Sequence, residues 1–467
     1  MQYVTSGGCS PGWPKEKTLR IKENFLKFLI IATATASTME INVQKSTILR
    51  PAQETPKQRL PNSDLDLVAP SNYNPLVFFY RRPNYSSPNF FDAGLLKEAL
   101  KKILVPFHPV AGRLPSDESG RTNILCNGEG VLFVEAETSC IIDDFGDFAE
   151  GSKLLPLLPT FDDTKDNSSY PLMMTQVTRF KCGGVCLATR FHHILADGAS
   201  TYHFVNSWAE MTRGVPISIP PFFDRTVLDF GVPNSPRFHH TEYDPPPLMN
   251  TPTQNSESIC TAILNLSLEQ INILKEKSKE NRGSTFEYTR LEVLAAHIWR
   301  CLHFPTNGRS KLNPPLPSGY FGNVVFITAL IALSGNILSE PLNYTVERIH
   351  KALKQMNDKY LKSALAYLKQ QPDPIVLRRG AHTYKCPNFN IVYLANMPIY
   401  DANFGWGPPM FSRLVNTYVE GIAHIYPSPS NDGSLTVFIN LETHHMQPFK
   451  KLFYEIFQHP KNARSRY

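Results

Sequence analysis

The segment Arg190-Phe191-His192-His193-Ile194-Leu195-Ala196-Asp197-Gly198 sets two histidines, an aspartate and a glycine in an HHxxxDG arrangement. A neutral imidazole is a general base near physiological pH, and a carboxylate four residues on can either orient that base or hold the turn that carries it. From Gly183 onward, period-two alternation reads as a strand, with Val185, Leu187, Phe191 and His193 on one face and Cys186, Ala188, Arg190 and His192 on the other. Beyond the Asp197-Gly198 turn, Phe204, Val205, Trp208 and Met211 recur at helical spacing until Gly214. A strand that stops at a histidine and turns into a helix holds the ring at the mouth of a rigid scaffold, where the field of the helix N-terminus favours the neutral form. Proton abstraction from a substrate is the chemistry that follows, with His193 as base. Gly198 is read as the residue that lets the backbone turn tightly beside the site.

A bare histidine pair carries little information, as two others show. His239-His240 is followed by Asp244 at the same spacing, but Pro245 stands where the glycine should be. His444-His445 has no aspartate after it. Nor is there a Gly-x-Ser-x-Gly elbow, so a serine-based acyl-enzyme lacks its usual signature.

The elements that must position such a site are legible in outline. Apolar Ile41, Val43 and Ile48 suggest a first strand and Leu76 to Tyr80 a second. Asp92 caps a helix whose Leu95, Leu96, Ala99, Leu100 and Ile103 form the buried stripe, and Val131 to Glu135 reads as another strand. Prolines crowd residues 216–254, a stretch that suits a crossover between two halves. The second half opens with a strand over Thr261 to Leu266, a helix capped at Ser267 and a helix from about Phe286 to Cys301. A helical region from Tyr344 to Gln370, strands near Asn390 to Met397 and Leu435 to Leu441, and a helix at Phe449 to Phe457 follow. Irregular alternation of helices and strands describes an α/β (α+β) layered protein.

With 467 residues the chain exceeds what one core usually supports, so two domains are expected. A hydrophobic content of 42% with 19% charged residues excludes a disordered chain, and no apolar run reaches membrane-spanning length. A net charge of +6 without a Lys/Arg-rich block gives no support for nucleic-acid binding, though mild basicity suits an anionic substrate. Eight cysteines are too sparse for a disulfide scaffold and read as reduced, mostly buried thiols of a cytoplasmic protein, with Cys182 and Cys186 on one face of the strand leading to His193. Residues 1–38 form an atypical extension, basic before the apolar Phe28 to Ala36: a weak signal peptide, a disordered tail or a non-native upstream start.

HHxxxDG, followed far downstream by Asn403-Phe404-Gly405-Trp406-Gly407, resembles the plant BAHD acyltransferase family, nearest its hydroxycinnamoyl-CoA shikimate/quinate branch. Pro106-Phe-His-Pro-Val-Ala-Gly-Arg113, Gln176-Val-Thr-Arg-Phe-Lys-Cys-Gly-Gly184, Tyr320-Phe-Gly-Asn323 and Pro427-Ser-Pro-Ser-Asn-Asp-Gly433 add to the likeness, which runs from about Met39 to the C-terminus. The resemblance implies two chloramphenicol-acetyltransferase-like domains, each a mixed sheet with flanking helices. These are residues 39–215 and 255–467, joined by a crossover loop over 216–254. It implies transfer of a p-coumaroyl or caffeoyl group from its CoA thioester to the hydroxyl of a small acceptor such as shikimate or quinate, by a monomer needing no cofactor and no metal. A catalytically weak relative that binds acyl-CoA or a partner protein, and a peptide-synthetase condensation domain, are the other readings; the Asn403 motif and the lack of an adjoining carrier module argue against the second.

By the same resemblance His193 deprotonates the acceptor directly, while Asp197 faces away and pairs with Arg309, an architectural role. Asn403 replaces the usual aspartate of the second motif, and its inability to form an ion pair predicts weaker stability rather than lost chemistry. Core packing accounts for Phe404 and Trp406. Arg379 matches a clamp for an acceptor carboxylate. The Thr-Pro-Ser-Val-Tyr segment of the branch is here Asn74-Pro75-Leu76-Val77-Phe78, and Val392 and Leu394 stand for a threonine and a tryptophan. Such a pocket is less polar and suits either the same acids or another acceptor, such as hydroxyphenyl-lactate or a polyamine. Finally, only Leu302 to Pro305 separate Cys301 from Thr306, where the family carries a longer connection. A strand of the second sheet is therefore expected to be missing and Arg309 to fall short of Asp197.

Overall fold

The computed structural model describes residues 39–83, 89–115, 123–160, 170–244, 258–279, 287–298, 302–330, 332, 334–378, 388–415 and 420–458. Residues 1–38 and Arg379 lie outside them. The first half runs β1 (Asn42–Leu49), β2 (Gln58–Leu60), α1 (Asp64–Leu67), β3 (Tyr73–Tyr80), α2 (Ala93–Ile103), β4 (Ile124–Cys126) and β5 (Val131–Thr138). It continues with α3 (Gly151–Leu154), β6 (Met173–Phe180), β7 (Val185–His192) and α4 (Gly198–Thr212). The second half runs β8 (Ile259–Leu266), α5 (Leu268–Lys279), α6 (Arg290–Ile298), β9 (Leu302–Asn307), β10 (Val325–Leu330) and α7 (Ser334–Ser339). Then come α8 (Leu342–Gln355), α9 (Asp358–Lys369), β11 (Phe389–Tyr393), β12 (Phe411–Leu414), β13 (Ile422–Pro427), β14 (Leu435–Glu442) and α10 (Thr443–Gln458).

Two six-stranded mixed sheets result, in the orders β1-β5-β6-β7-β3-β12 and β10-β9-β11-β13-β14-β8. Each is flanked by helices, as the family resemblance implies. β12 is the exception to a clean division: it comes from the second half and pairs antiparallel with β3, extending the first sheet. One apolar core includes Leu76, Phe78, Leu187 and Phe191 of the first sheet together with Leu394, Tyr426 and Phe438 of the second half. In the described part of the Pro-rich crossover, residues 216–244, the only repeating backbone is short 3-10 turns such as Arg225–Asp229 and Thr241–Tyr243.

Local chemistry explains the elements. Asp92 accepts from the Leu95 N–H at the start of α2. Ser267 and Gln270 exchange side chain to backbone hydrogen bonds in a capping box ahead of α5. The Asp197 side chain accepts from the Ser200 N–H and caps α4, and Gly214, at φ +75°, ends it. Among the described residues no helix is long and apolar enough to cross a membrane.

Several expectations need correction. No strand is missing from the second sheet: the short connection itself forms β9, which pairs antiparallel with β10 along six residues. Pro305, which has no N–H to donate, lies beyond the short parallel contact of β9 with β11 at Leu302 and His303. Leu95 is 47% exposed, because the buried stripe of α2 is only Leu96, Ala99, Leu100 and Ile103. The region 344–370 is two helices, broken at Met356 and Asn357, where Asn357 caps the second. Cys182 is exposed in the turn before β7 rather than inside the strand, while Cys186 is buried. Gly198 has no left-handed φ and an added Cβ would meet nothing within 4 Å, so the turn does not require a glycine there.

Candidate active site

β7 ends one residue earlier than alternation suggests. His192 is its last residue, paired with Tyr73 of β3, and His193 is the first of the turn. The ladder continues by one hydrogen bond, from the His193 N–H to the Asn72 carbonyl at 2.8 Å. The His192 ring sits edge-on to Tyr73, centroids 5.1 Å apart, and burial pushes its pKa down to about 4. Burial also lowers the pKa of His193, and its Nδ1 is buried without a hydrogen-bond partner among the described residues. The neutral form that a base requires is therefore favoured by desolvation, the largest influence on this ring.

Asp197 does not orient that ring. Its carboxylate forms a two-pronged ion pair with Arg309, Nη1 to Oδ2 at 2.7 Å and Nη2 to Oδ1 at 3.0 Å. The same carboxylate accepts from the backbone N–H groups of Ser200 and Val324. Burial pushes the Asp197 pKa up, but Arg309 and these N–H donors outweigh it and the net direction is down. Arg309 also donates to Ser200 Oγ and the Gly322 carbonyl. The expected shortfall of Arg309 is thus overturned: β9 spans the gap and delivers it to Asp197.

A second buried network fixes the turn from the other side, and sequence reading missed it. Asn323 Nδ2 donates to the carbonyls of His193 and Ile194 at 2.8 and 3.2 Å. Asp66 accepts from both the backbone and side-chain N–H groups of Asn323 and from Arg225 Nε. Arg225 also donates to the Phe321 carbonyl, and its guanidinium packs where a Cβ on Gly322 would lie, 2.6 Å away, so a glycine is required at 322. Tyr320 lies beneath both guanidinium groups, 5.5 and 5.7 Å from its ring centre. Asn323 and Gly322 stood in a motif quoted only for its likeness. Asp66 was not singled out; in the structure it also forms a capping box with Ser63 at the start of α1.

The residues expected to line the acceptor pocket fall on one side of this arrangement. Antiparallel register sets Asn74 opposite Phe191, Leu76 opposite Thr189 and Phe78 opposite Leu187, which puts them on the face to which alternation assigns His193. Leu76 and Phe78 are fully buried, and Phe78 meets Tyr202 of α4 edge to face. Val392, on β11, is partly buried against the same core, so both sheets contribute. Arg379 lies outside the described residues.

The second motif sits at the far end of α4. Phe404 packs on Trp208, Tyr80 and Phe91, and Trp406 on Phe90 and Phe91, which is core packing as expected. Asn403 Oδ1 accepts from the N–H groups of Gly405 and Gly407, whose φ values of +108° and +101° suit glycine. Arg213, the C-cap of α4, donates to the Asn403 carbonyl. Asn403→Asp would still accept from both N–H groups and would add a charge beside Arg213. It is expected to raise stability by about 0.5 to 1 kcal/mol in thermal unfolding. An unchanged or lower Tm would mean that the asparagine costs nothing.

The other histidine pairs stand in different settings. His240 is buried between Glu242 (2.8 Å from Nδ1) and Ser363 (2.9 Å from Nε2), and Ser363 Oγ is itself taken by the N–H groups of Arg237 and Phe238. The set has the composition of a Ser-His-Glu triad but serves to fasten the crossover to α9. His444 and His445 open α10 beside Glu442.

Two mixed sheets sharing a core, with a desolvated histidine just past the end of a central strand and an aspartate turned away into a mostly buried arginine, have the fold of a two-domain acyltransferase. The transferase family profile matches residues 39–456, and the chain belongs to this family, the BAHD acyltransferases. It is 49% identical over 437 residues to shikimate O-hydroxycinnamoyltransferase of Nicotiana tabacum, covering 89% of this chain and all of that one. It is 42% identical over 449 residues to a hydroxycinnamoyl-CoA:5-hydroxyanthranilate N-hydroxycinnamoyltransferase of Avena sativa, covering 90% of this chain and all of that one. Among solved structures, the fold is similar to that of vinorine synthase, with a TM-score of 0.67 at 20% identity over 87% of this chain and 96% of that one.

Proposed function

We propose that the protein moves a hydroxycinnamoyl group, p-coumaroyl or caffeoyl, from its CoA thioester to a small acceptor such as shikimate or quinate, without an acyl-enzyme. The observation that carries this reading is His193. Its pKa is lowered by burial, which outweighs the opposing pull of Asp197 and Asp66, and it follows β7, whose neighbour β3 presents Asn74, Leu76 and Phe78 on the same face of the sheet. His193 takes the acceptor hydroxyl proton as that oxygen attacks the thioester carbonyl. The tetrahedral intermediate collapses with cleavage of the carbon–sulfur bond, and the CoA thiolate recovers the proton from the imidazolium. Asp197 contributes by holding the turn rather than by touching substrate.

The relatives at 49% and 42% identity carry an O-acyl and an N-acyl acceptor in their names, and the same base serves both chemistries. Leu76, Phe78 and Val392 leave few side-chain hydroxyls to meet a polyol, each lost contact being worth roughly 0.5 to 1.5 kcal/mol. Hydroxyphenyl-lactate and polyamines therefore stand beside shikimate and quinate as acceptors. The reading as a weak relative drew on the short connection and on Asn403. With Arg309 on Asp197 and Asn403 bonded to Gly405 and Gly407, neither feature argues for it.

Incubation with p-coumaroyl-CoA and a panel of shikimate, quinate, hydroxyphenyl-lactate, 5-hydroxyanthranilate and polyamines, read by mass spectrometry, tests the reading. CoA release with none of them overturns it. For a carboxylate acceptor, Arg379→Ala is expected to lower kcat/KM by the equivalent of roughly 2 to 5 kcal/mol while leaving hydroxycinnamoyl-CoA binding intact. A shikimate kcat/KM unaffected by the substitution rules out the clamp.

A further inference from the structure

The histidine pair that the acyl-transfer site does not use lies where two strands end side by side. Ile422 of β13 faces Asn440 of β14, with Glu420 two residues before the one and Glu442 two residues after the other. Chain reversal into α10 then brings His444 and His445 over them. Glu442, His444 and His445 each offer a ligand atom, all within 4.8 Å of one another. His444 Nδ1 is 3.6 Å from Glu442 Oε2, and His445 Nδ1 is 3.5 Å from Glu420 Oε1 and 3.9 Å from Glu442 Oε2.

In a tetrahedral site with bonds of 2.0 to 2.1 Å, neighbouring ligand atoms stand about 3.3 Å apart. Two of the observed separations, 3.5 and 3.6 Å, are within a few tenths of an ångström of that edge, and the third, 3.9 Å, is longer. They are reached by imidazole nitrogens and carboxylate oxygens, the donors that a borderline divalent cation takes. We infer that Glu442, His444 and His445, with Glu420 beside His445, form a binding site for a zinc-class divalent cation, outside the acyl-transfer centre. Two carboxylates offset the charge of the ion, including the unfavourable field of the α10 N-terminus. The histidines are 46% and 44% exposed, so the ion can enter from solvent, while Glu420 is only 13% exposed and is held in place. Bound there, the cation would tie the start of β13, the end of β14 and the beginning of α10 into one unit, which is a structural role.

The test uses untagged full-length protein freed of metal with EDTA and titrated with Co²⁺ and with Zn²⁺. One equivalent of Co²⁺ is expected to give weak visible bands without the intense near-ultraviolet band of a cobalt–thiolate bond, which separates this site from the partly exposed Cys140, Cys182 and Cys260. Zn²⁺ is expected to raise Tm by about 2 °C or more. His445→Ala and Glu442→Gln should each weaken binding at least about 10-fold, and His444→Ala/His445→Ala should abolish it. These exposed changes should leave acyl transfer unaltered, as should EDTA. Retention of the cobalt spectrum in the double variant, a thiolate band, or no binding at millimolar metal would overturn the inference.

Discussion

His193→Ala is expected to lower kcat by about 10²- to 10⁴-fold, roughly 3 to 5 kcal/mol of barrier, with the Kd of hydroxycinnamoyl-CoA nearly unchanged. The base acts only in the chemical step, and the turn that carries it is held by backbone bonds to Asn72 and by Asn323 rather than by the imidazole. His192→Ala should be milder, since that ring lies on the opposite face against Tyr73. The pH dependence gives an independent check. Burial lowers the pKa of His193, so the base stays neutral through the ordinary histidine range near 6.5, and the acid limb of kcat/KM should fall below it. Equal, large losses in both variants would remove His193 as the sole base. An acid limb above the ordinary range would show that the group is not desolvated in the working enzyme.

What could be read from the sequence divides along a physical line. HHxxxDG, the caps at Asp92 and Ser267, and the period-two pattern before His193 are local: residue type and spacing fix them before any distant part of the chain is placed. The residues that hold the base in position are non-local. Asp66, Arg225 and Asn323 are separated by more than 250 residues end to end, and no spacing rule relates them. Arg225 was hidden by its setting in a proline-rich crossover, where composition says loop and says nothing of a guanidinium packed on Gly322. β9 was misjudged for a related reason. Four residues between two recognisable segments look like a deletion, whereas the strand is built from those residues and the Thr306-Asn307 that follow, paired with a partner eighteen or more residues downstream. Leu95 and Cys182 were placed by periodicity carried one residue or one turn too far.

The two motifs act on opposite ends of one helix. Asp197 caps α4 where it meets the catalytic turn, and Arg213, at its other end, reaches the Asn403 carbonyl, with Trp208 packed on Phe404 between them. Trp208 also donates its indole N–H to the Leu96 carbonyl of α2, so the helix is fixed along its length as well as at its ends. Packing against α2, β3 and the second motif sets the axial position of α4, and that position decides where Asp197 presents its carboxylate to Arg309.

Asp197→Asn is expected to destabilise the protein by about 3 kcal/mol and to lower expression at least as much as it lowers activity per folded molecule. Asp197 is 1% and Arg309 14% exposed, so the substitution leaves a mostly buried guanidinium without its counter-charge. Asparagine can still accept from Ser200, and Arg309 keeps Ser200 Oγ and the Gly322 carbonyl, which is why the loss should stay near the low end for a broken buried pair. The sign with pH follows from the lowered pKa of Asp197. Its contribution is fully present above the unfolded carboxylate value near 3.9 and is lost as pH falls through the lower folded value. The Tm gap between wild type and Asp197→Asn should therefore be wide at neutral pH and close in strong acid. A variant that melts like wild type but does not transfer the acyl group would place Asp197 in the chemistry instead.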